Sequence, residues 1–425
     1  MTRARRRNGA RPRLEAGILN ARRLAGPLAM LLVGVLACAP ASKTRTIVFW
    51  QFWAADVVTP LLAEFEREHP GWKVQMEQLT WQSGREKITA AVASGKVPDL
   101  CELGSTWMPL MLASGQLADW SDGVDDLRPQ LRGWELCSTG DKVFGIPWVM
   151  GTRALFYNKS LFARAGLDST RPPETWEEMH QAATAIQQLG KDVRGFGVQA
   201  GERYVLFKKF MPFAWGNGGR ILSDDLATSA FDSPQNVDAL VYYLSLRKVG
   251  MLERQDMLDR AFREGRLGLQ VSGAWLFKSI AKEAPGLRYG VALVPRPERE
   301  RGFHASFAGG EVLVGFAVAK EKEGALALAR FLARPKNAQA LAAAAQSVQP
   351  ATIGADTSLY YRERPNERLM IQQFETAVPT PNHPAWDDLE AVIEDEVEQA
   401  LYDRKSAAQA VADAHRRIAE RIAKR

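Results

Sequence analysis

Cysteine and histidine are scarce in this 425-residue chain, which holds three of the first and five of the second. No cysteine stands in a CxxC or similar ligand spacing, and His69, His180, His304, His383 and His415 form no HExxH motif or cluster, so no metal site is expected. A GxSxG elbow, a P-loop and a marked pair of catalytic acids are missing as well. The acids are scattered mostly over helix faces, which argues against a secreted glycosidase working with two carboxylates, and no enzyme is expected. Nothing implies a cofactor. No internal repeat or low-complexity linker interrupts the chain.

Long hydrophobic runs are also missing. Residues 24–37 form an apolar run of 14, short of the ~20 that a lone membrane-spanning helix needs, and eight arginines precede it. Those are the flanks of an export signal, which makes residues 1–37 a leader. Its end, Val35-Leu36-Ala37-Cys38, resembles the lipobox at which bacterial lipoproteins are cleaved and their new N-terminal cysteine is lipidated. That pattern prefers Leu where Val35 sits and a small residue where Leu36 sits, so plain secretory cleavage at Ala37 or near Ala41 stays open beside lipidation of Cys38. Either way the protein is expected to be exported, and lipidation of Cys38 would hold it at the cell envelope. Without the leader, basic and acidic residues number 47 and 48. The basic pI therefore belongs to the leader, and neither nucleic acid nor an anionic membrane surface is an expected partner. Cys101 and Cys137 remain. An oxidising compartment would allow a bridge between them, or two separate buried thiols.

About 388 residues after the leader are too many for one core, so two domains are expected. The early chain alternates strand and helix. Residues 46–52 (TIVFWQF) read as a buried strand, and Asp56 can cap a helix carrying Val57, Val58, Leu61, Leu62 and Phe65 on one face. His69-Pro70-Gly71 stops that helix, and 73–79 reads as a second strand. Ile88, Ala91 and Val92 mark a helix ended by Gly95, and PDLCEL at 98–103 starts a third strand. This βαβαβ order predicts an α/β fold with a parallel sheet covered by helices. Beyond residue 153 the pattern gives strands at 154–157, 195–199, 267–271, 289–294 and 312–319, with helices at 176–189, capped by Thr175, and 234–249. Helical spacing closes the chain at Leu389, Val392, Ile393, Val397 and Leu401, and again at Ala410, Val411, Ala414 and Ile418.

Seven segments, LLAEFEREHPGWKVQ, ASGKVPDLCELGSTWMPLMLASGQLADWSD, VFGIPWVMGTRALFYNKSLFARAGL, PPETWEEM, GNGGRIL, FREGRLGLQVSGAW and FAGGEVLVGFAV, occur in one order between residues 44 and 425. In that order the chain resembles the extracytoplasmic solute-binding proteins of ATP-driven importers, the family that includes maltose-binding protein. The resemblance implies a two-lobed periplasmic-binding-protein-like fold of type II, with lobes joined by crossing strands and a cleft that shuts by hinge closure. It places the crossings near 150–152, 291–295 and 334–339. Lobe one would then be 44–151 plus 294–334, and lobe two 152–293 plus 335–425. A carbohydrate ligand, the transmembrane subunits of a permease, and a monomeric state follow from the same likeness.

A sugar presents flat patches of C–H and a rim of hydroxyls, which suit aromatic faces on one side and carboxylates, amides or arginine on the other. The chain has 12 Trp against 8 Tyr. Trp275 follows Ser272-Gly273-Ala274 at the end of a predicted strand and resembles a sugar-stacking position of the family. Trp148, stiffened by Pro147 next to a crossing, is a candidate for the cleft floor. The loop after the third strand lies where α/β sheets bind ligands, which selects Glu102, Ser105, Thr106 and Trp107, although Ser105 or Thr106 can equally cap the next helix. Strand alternation favours Trp53 for the cleft and Trp50 for the core. Gly309 and Gly310 allow close backbone approach, and Glu311 can hold hydroxyls or pair with an arginine. Trp215 and Asn217, beside Gly218-Gly219, and Trp386 complete the set. A glycerol-phosphate-type or other small polar solute on the same scaffold is the alternative, with Arg153 and Arg220 near cleft loops. A sensor subunit partnering a membrane kinase is a further one.

Overall fold

The computed structural model describes residues 44–81 and 83–424. The leader and Cys38 lie outside the described residues. In chain order the strands are β1 (Arg45–Gln51), β2 (Trp72–Gln78), β3 (Leu100–Gly104), the short hairpin of β4 (Ser138–Thr139) and β5 (Lys142–Val143), β6 (Ile146–Gly151), β7 (Ala154–Asn158), β8 (Arg194–Gln199), β9 (Gly250–Glu253), β10 (Leu267–Ser272), β11 (Tyr289–Ala292), β12 (Ser306–Gly315), β13 (Gln349–Pro350) and β14 (Ala377–Pro379).

Local rules place most elements near their predicted positions. The helix Ala55–Glu68 buries Val57, Val58, Leu61, Leu62 and Phe65 along one stripe. Asp56 is not its cap: the helix starts at Ala55, and Asp56 sits in the first turn, where a carboxylate faces the positive end of the helix dipole. Thr175 does cap the helix Trp176–Gln187. Its hydroxyl accepts from Glu178 N while the Glu178 carboxylate accepts from Thr175 N, a reciprocal capping box. Gly95 ends the helix Gly84–Ser94 at φ 68°, a left-handed position that glycine fills without strain. The largest departure is β12, which starts at Ser306 rather than 312. Gly309-Gly310 precedes the strand expected from sequence, yet it lies inside β12, next to a register shift between Glu311 and Val312. A Cβ on Gly310 would stand 2.2 Å from the Val149 carbonyl oxygen, so glycine there lets β6 approach.

Two sheets form two lobes. The first has the order β13-β6-β12-β3-β1-β2, with β14 on the start of β12, and the second has the order β11-β7-β10-β8-β9. β1 pairs parallel with both β2 and β3, as the βαβαβ pattern requires. The chain leaves the first sheet after β6 and enters the second at β7, through Thr152 and Arg153, and it returns between β11 and β12. These crossings are tied side by side. Thr152 Oγ1 donates to the Phe307 carbonyl at 2.7 Å, and Ser306 Oγ donates to the Arg153 carbonyl at 2.6 Å while accepting from Arg153 N at 3.2 Å. β13 pairs with β6, and the helix Pro335–Ala345 packs on the same side. Among the described residues, no helix is long and apolar enough to cross a membrane.

Cys101 and Cys137 are free thiols, both fully buried. Burial pushes both thiols up in pKa. Ellman's reagent is therefore expected to leave both untouched in the native protein and to titrate both on unfolding. Rapid native labelling would contradict this packing.

Candidate functional site in the interlobe cleft

Between the lobes lies a cleft of about 930 Å3. Its first-lobe wall begins at the short turn Ser105–Trp107, directly after β3, where the carboxyl edge of a sheet exposes its connecting loop. Three rings gather there. Phe52 stacks on Trp81 with centroids 4.2 Å apart and planes 16° apart, and Trp107 meets the two at 5.7 and 5.4 Å. Trp81 is 48% exposed, so one indole face is supported from behind and open in front. Arg85 follows on the first turn of the helix Gly84–Ser94. Its guanidinium lies 5.9 Å from the Trp107 ring and 5.4 Å from the Tyr204 ring, and it pairs with Asp387. Arg85 thus spans the cleft from one wall to the other.

The second-lobe wall carries Glu202, Arg203, Tyr204, Lys208 and Asp387. Tyr204 has a φ of 65°, a costly conformation for a bulky residue, and its backbone is held there from below. Glu394 accepts from Tyr204 N at 2.9 Å and from Phe207 N at 3.1 Å, fixing both the turn and the start of the helix Phe207–Gly216. The ring of Tyr204 is 43% exposed beside the cleft.

Crossing segments supply the floor: Gly151, Arg153, Phe307, Gly310 and Glu311. Ser105 Oγ accepts from Gly310 N at 3.2 Å, joining floor to wall. Burial pushes the Glu311 carboxyl up to about 7, against the pull of Arg153 and Lys208. Behind it Glu102 is raised well above the usual carboxylate range by burial and by Glu311. A carboxyl raised in the folded state binds more protons there than in the unfolded chain. Glu311 therefore lowers stability as pH rises from about 4.5 towards about 7. Glu311→Gln is expected to flatten part of the fall in melting temperature across that window. An unchanged pH profile would contradict the burial of this group.

The structure brings together Ser105, Thr106, Trp107, Gly310 and Glu311 of the sequence candidates, all of which line the cleft. The others lie elsewhere. Trp148 is fully buried in the first-lobe core against Phe49, at 6.2 Å, and is not at the cleft floor. Trp386 is 1% exposed and packs edge-on against Phe207, while its neighbour Asp387 reaches the cleft. Trp215 is buried against the same Phe207 and borders a separate pocket of about 530 Å3. Asn217 ends its helix and bonds Gln235 O and Arg301. Glu102 sits behind the wall, accepting from Phe52 N at 2.8 Å, and Trp53 packs on the first-lobe core. Gly309 faces the Phe307 ring and Ser105. Trp275 donates its indole N–H to Asp259 at 2.9 Å, and the guanidinium of Arg153 lies over its ring at 4.7 Å. Trp81, Arg85, Tyr204, Lys208 and Phe307 were not singled out by sequence. Among the described residues, no group of three or more side chains could hold a metal ion.

Residues 54–339 match the family model described as bacterial extracellular solute-binding protein. The chain belongs to this family. A Brucella abortus relative, whose name says no more than binding protein, is 29% identical over 322 residues, covering 72% of this chain and 76% of its own. The sn-glycerol-3-phosphate-binding periplasmic protein UgpB of Escherichia coli K12 is 24% identical over 333 residues, covering 72% and 75%. Among solved structures, the sugar-binding protein MalE of Xanthomonas citri is 26% identical with a TM-score of 0.80, covering 89% of this chain and 98% of that one. UgpB of Mycobacterium tuberculosis, solved with glycerophosphocholine, shares the fold at 19% identity, with a TM-score of 0.78 over 89% and 99% of the two chains. The fold of this solute-binding protein is thus the two-lobed, periplasmic-binding type. The family implies a small-molecule ligand and an importer permease as partners.

Proposed function

We propose that this solute-binding protein captures a carbohydrate, single or oligomeric, in the interlobe cleft and hands it to the transmembrane subunits of an importer. The open ring faces carry this reading. Trp81 and Trp107 on one wall stand across from Tyr204 on the other, with the Glu311 carboxylate at the floor. A buried oxygen of Glu311 has no hydrogen-bond partner among the described residues, so a ligand hydroxyl can donate to it. Arg85, in contact with both walls, suits an element that tightens when the lobes close. A glycerol-phosphate-type solute is the alternative, supported by the name of the Escherichia coli relative.

The packing of Pro335–Ala345 and β13 on β6 supports giving residues 335–350 to lobe one, not to lobe two as the sequence suggests. Residues 1–37 act as the export leader in this reading, and Cys38 as the lipid anchor of a monomer at the envelope. The test is a tryptophan-fluorescence and calorimetric titration with mono-, di- and oligosaccharides and glycerol phosphates, followed by recovery of the ligand. Saturable binding with the ligand returned unchanged is expected. No binding across the panel, or a ligand returned cleaved, would overturn it.

A further inference from the structure

Two cations line the cleft without a carboxylate in contact. Arg203 pairs with Asp395 and Arg85 with Asp387, but Arg153 and Lys208 make no ion pair among the described residues. Arg153 donates one N–H to the Thr152 carbonyl at 3.0 Å, and its Nε is buried with no partner. Both cations stand by the ring of Phe307, at 5.4 and 5.3 Å from its centroid. Acids do surround them. Glu311 attracts both from the floor, Asp259 attracts Arg153, and Glu390 and Glu394 attract Lys208 from the helix Trp386–Leu401. None of these reaches contact. Asp259 is occupied by Trp275 and Gln255, and both oxygens of Glu394 by backbone amides.

Glu311, Asp259, Glu390 and Glu394 offset these charges through space without forming an ion pair, so the donors of Arg153 and Lys208 keep hydrogen-bonding capacity that a neutral ligand uses only in part. An anionic group instead receives charge-assisted hydrogen bonds from both. The stacking of Arg153 adds a geometric reason. Its guanidinium lies over the Trp275 ring at 4.7 Å and so occupies that side of the indole, and its one hydrogen bond to the protein among the described residues, to the Thr152 carbonyl, leaves planar donor capacity for an oxyanion. Trp275, itself held by Asp259, is thus placed to orient Arg153.

We infer that the cleft takes a sugar or polyol bearing one anionic group, phosphate or carboxylate, which Arg153 and Lys208 hold while hydroxyls reach Glu311. This rests on the cleft being the binding site. Matched probes test it: glucose, glucuronate and glucose 6-phosphate, with glycerol and sn-glycerol 3-phosphate, titrated at low and high salt. At least one anionic probe is expected to bind about tenfold or more above its neutral parent and to weaken as salt rises. The phosphate and carboxylate arms tell which anion is recognised. Arg153→Gln and Lys208→Gln are each expected to reduce that preference about tenfold, with Arg153→Lys keeping part of it. Equal binding of neutral parents, a preference that survives both substitutions, or no anionic binding would overturn the inference. A neutral sugar that binds without preference and is lost in Trp107→Ala would sink the anion and leave the cleft standing. Anionic binding that ignores Trp107→Ala would sink the cleft itself.

Discussion

Replacing Trp107 by alanine is expected to weaken ligand capture about tenfold or more while the protein stays folded. The size follows from the ring: burying one face against a sugar or polyol contributes about 1 to 2 kcal/mol, and 1.4 kcal/mol is a factor of ten in affinity. Trp107 stands between the ring pair of Phe52 and Trp81 and the guanidinium of Arg85. Losing it removes a ligand face and also loosens the support of the other indole. The residue is only partly buried, so the loss of core packing is small beside the loss of binding. Calorimetry against the best ligand, with circular dichroism as the control, decides this. Parent-like affinity would remove Trp107 from the site.

The opposite pattern is expected of Trp148→Ala. That ring is fully buried against Phe49, in a strand paired with both β12 and β13. Truncating a core tryptophan costs about 3–5 kcal/mol through lost burial and the cavity left behind. Chemical denaturation should show that loss, and ligand affinity of the remaining folded protein should change little. A folded, equally stable variant with lost affinity would put Trp148 back in the cleft.

These two tryptophans show where sequence reading succeeded and where it ended. Strand and helix order was legible because apolar periodicity, the Thr175 capping box and the glycine stops are local features. Ser105 and Trp107 were legible because the carboxyl end of a parallel strand points at a cleft whatever the rest of the chain does, and Gly310 and Glu311 because paired glycines mark a close backbone approach. The fate of an indole was not. A tryptophan packs as well in a core as against a sugar, and the deciding neighbour lies far along the chain: Phe49 for Trp148, Phe207 for Trp386, Arg153 for Trp275. Arg85 shows the same gap from the other side. It sits on an ordinary helix surface by sequence, and the second-lobe partners that make it span the cleft, Tyr204 and Asp387, lie far along the chain, Asp387 302 residues away.

Crystallising the protein with its tightest ligand tests the central claim most directly. Ligand density is expected between Trp107 and Tyr204, touching Glu311, with the lobes drawn together around the crossings at Thr152 and Ser306. Ligand bound on another surface, with that gap left unoccupied, would contradict the account.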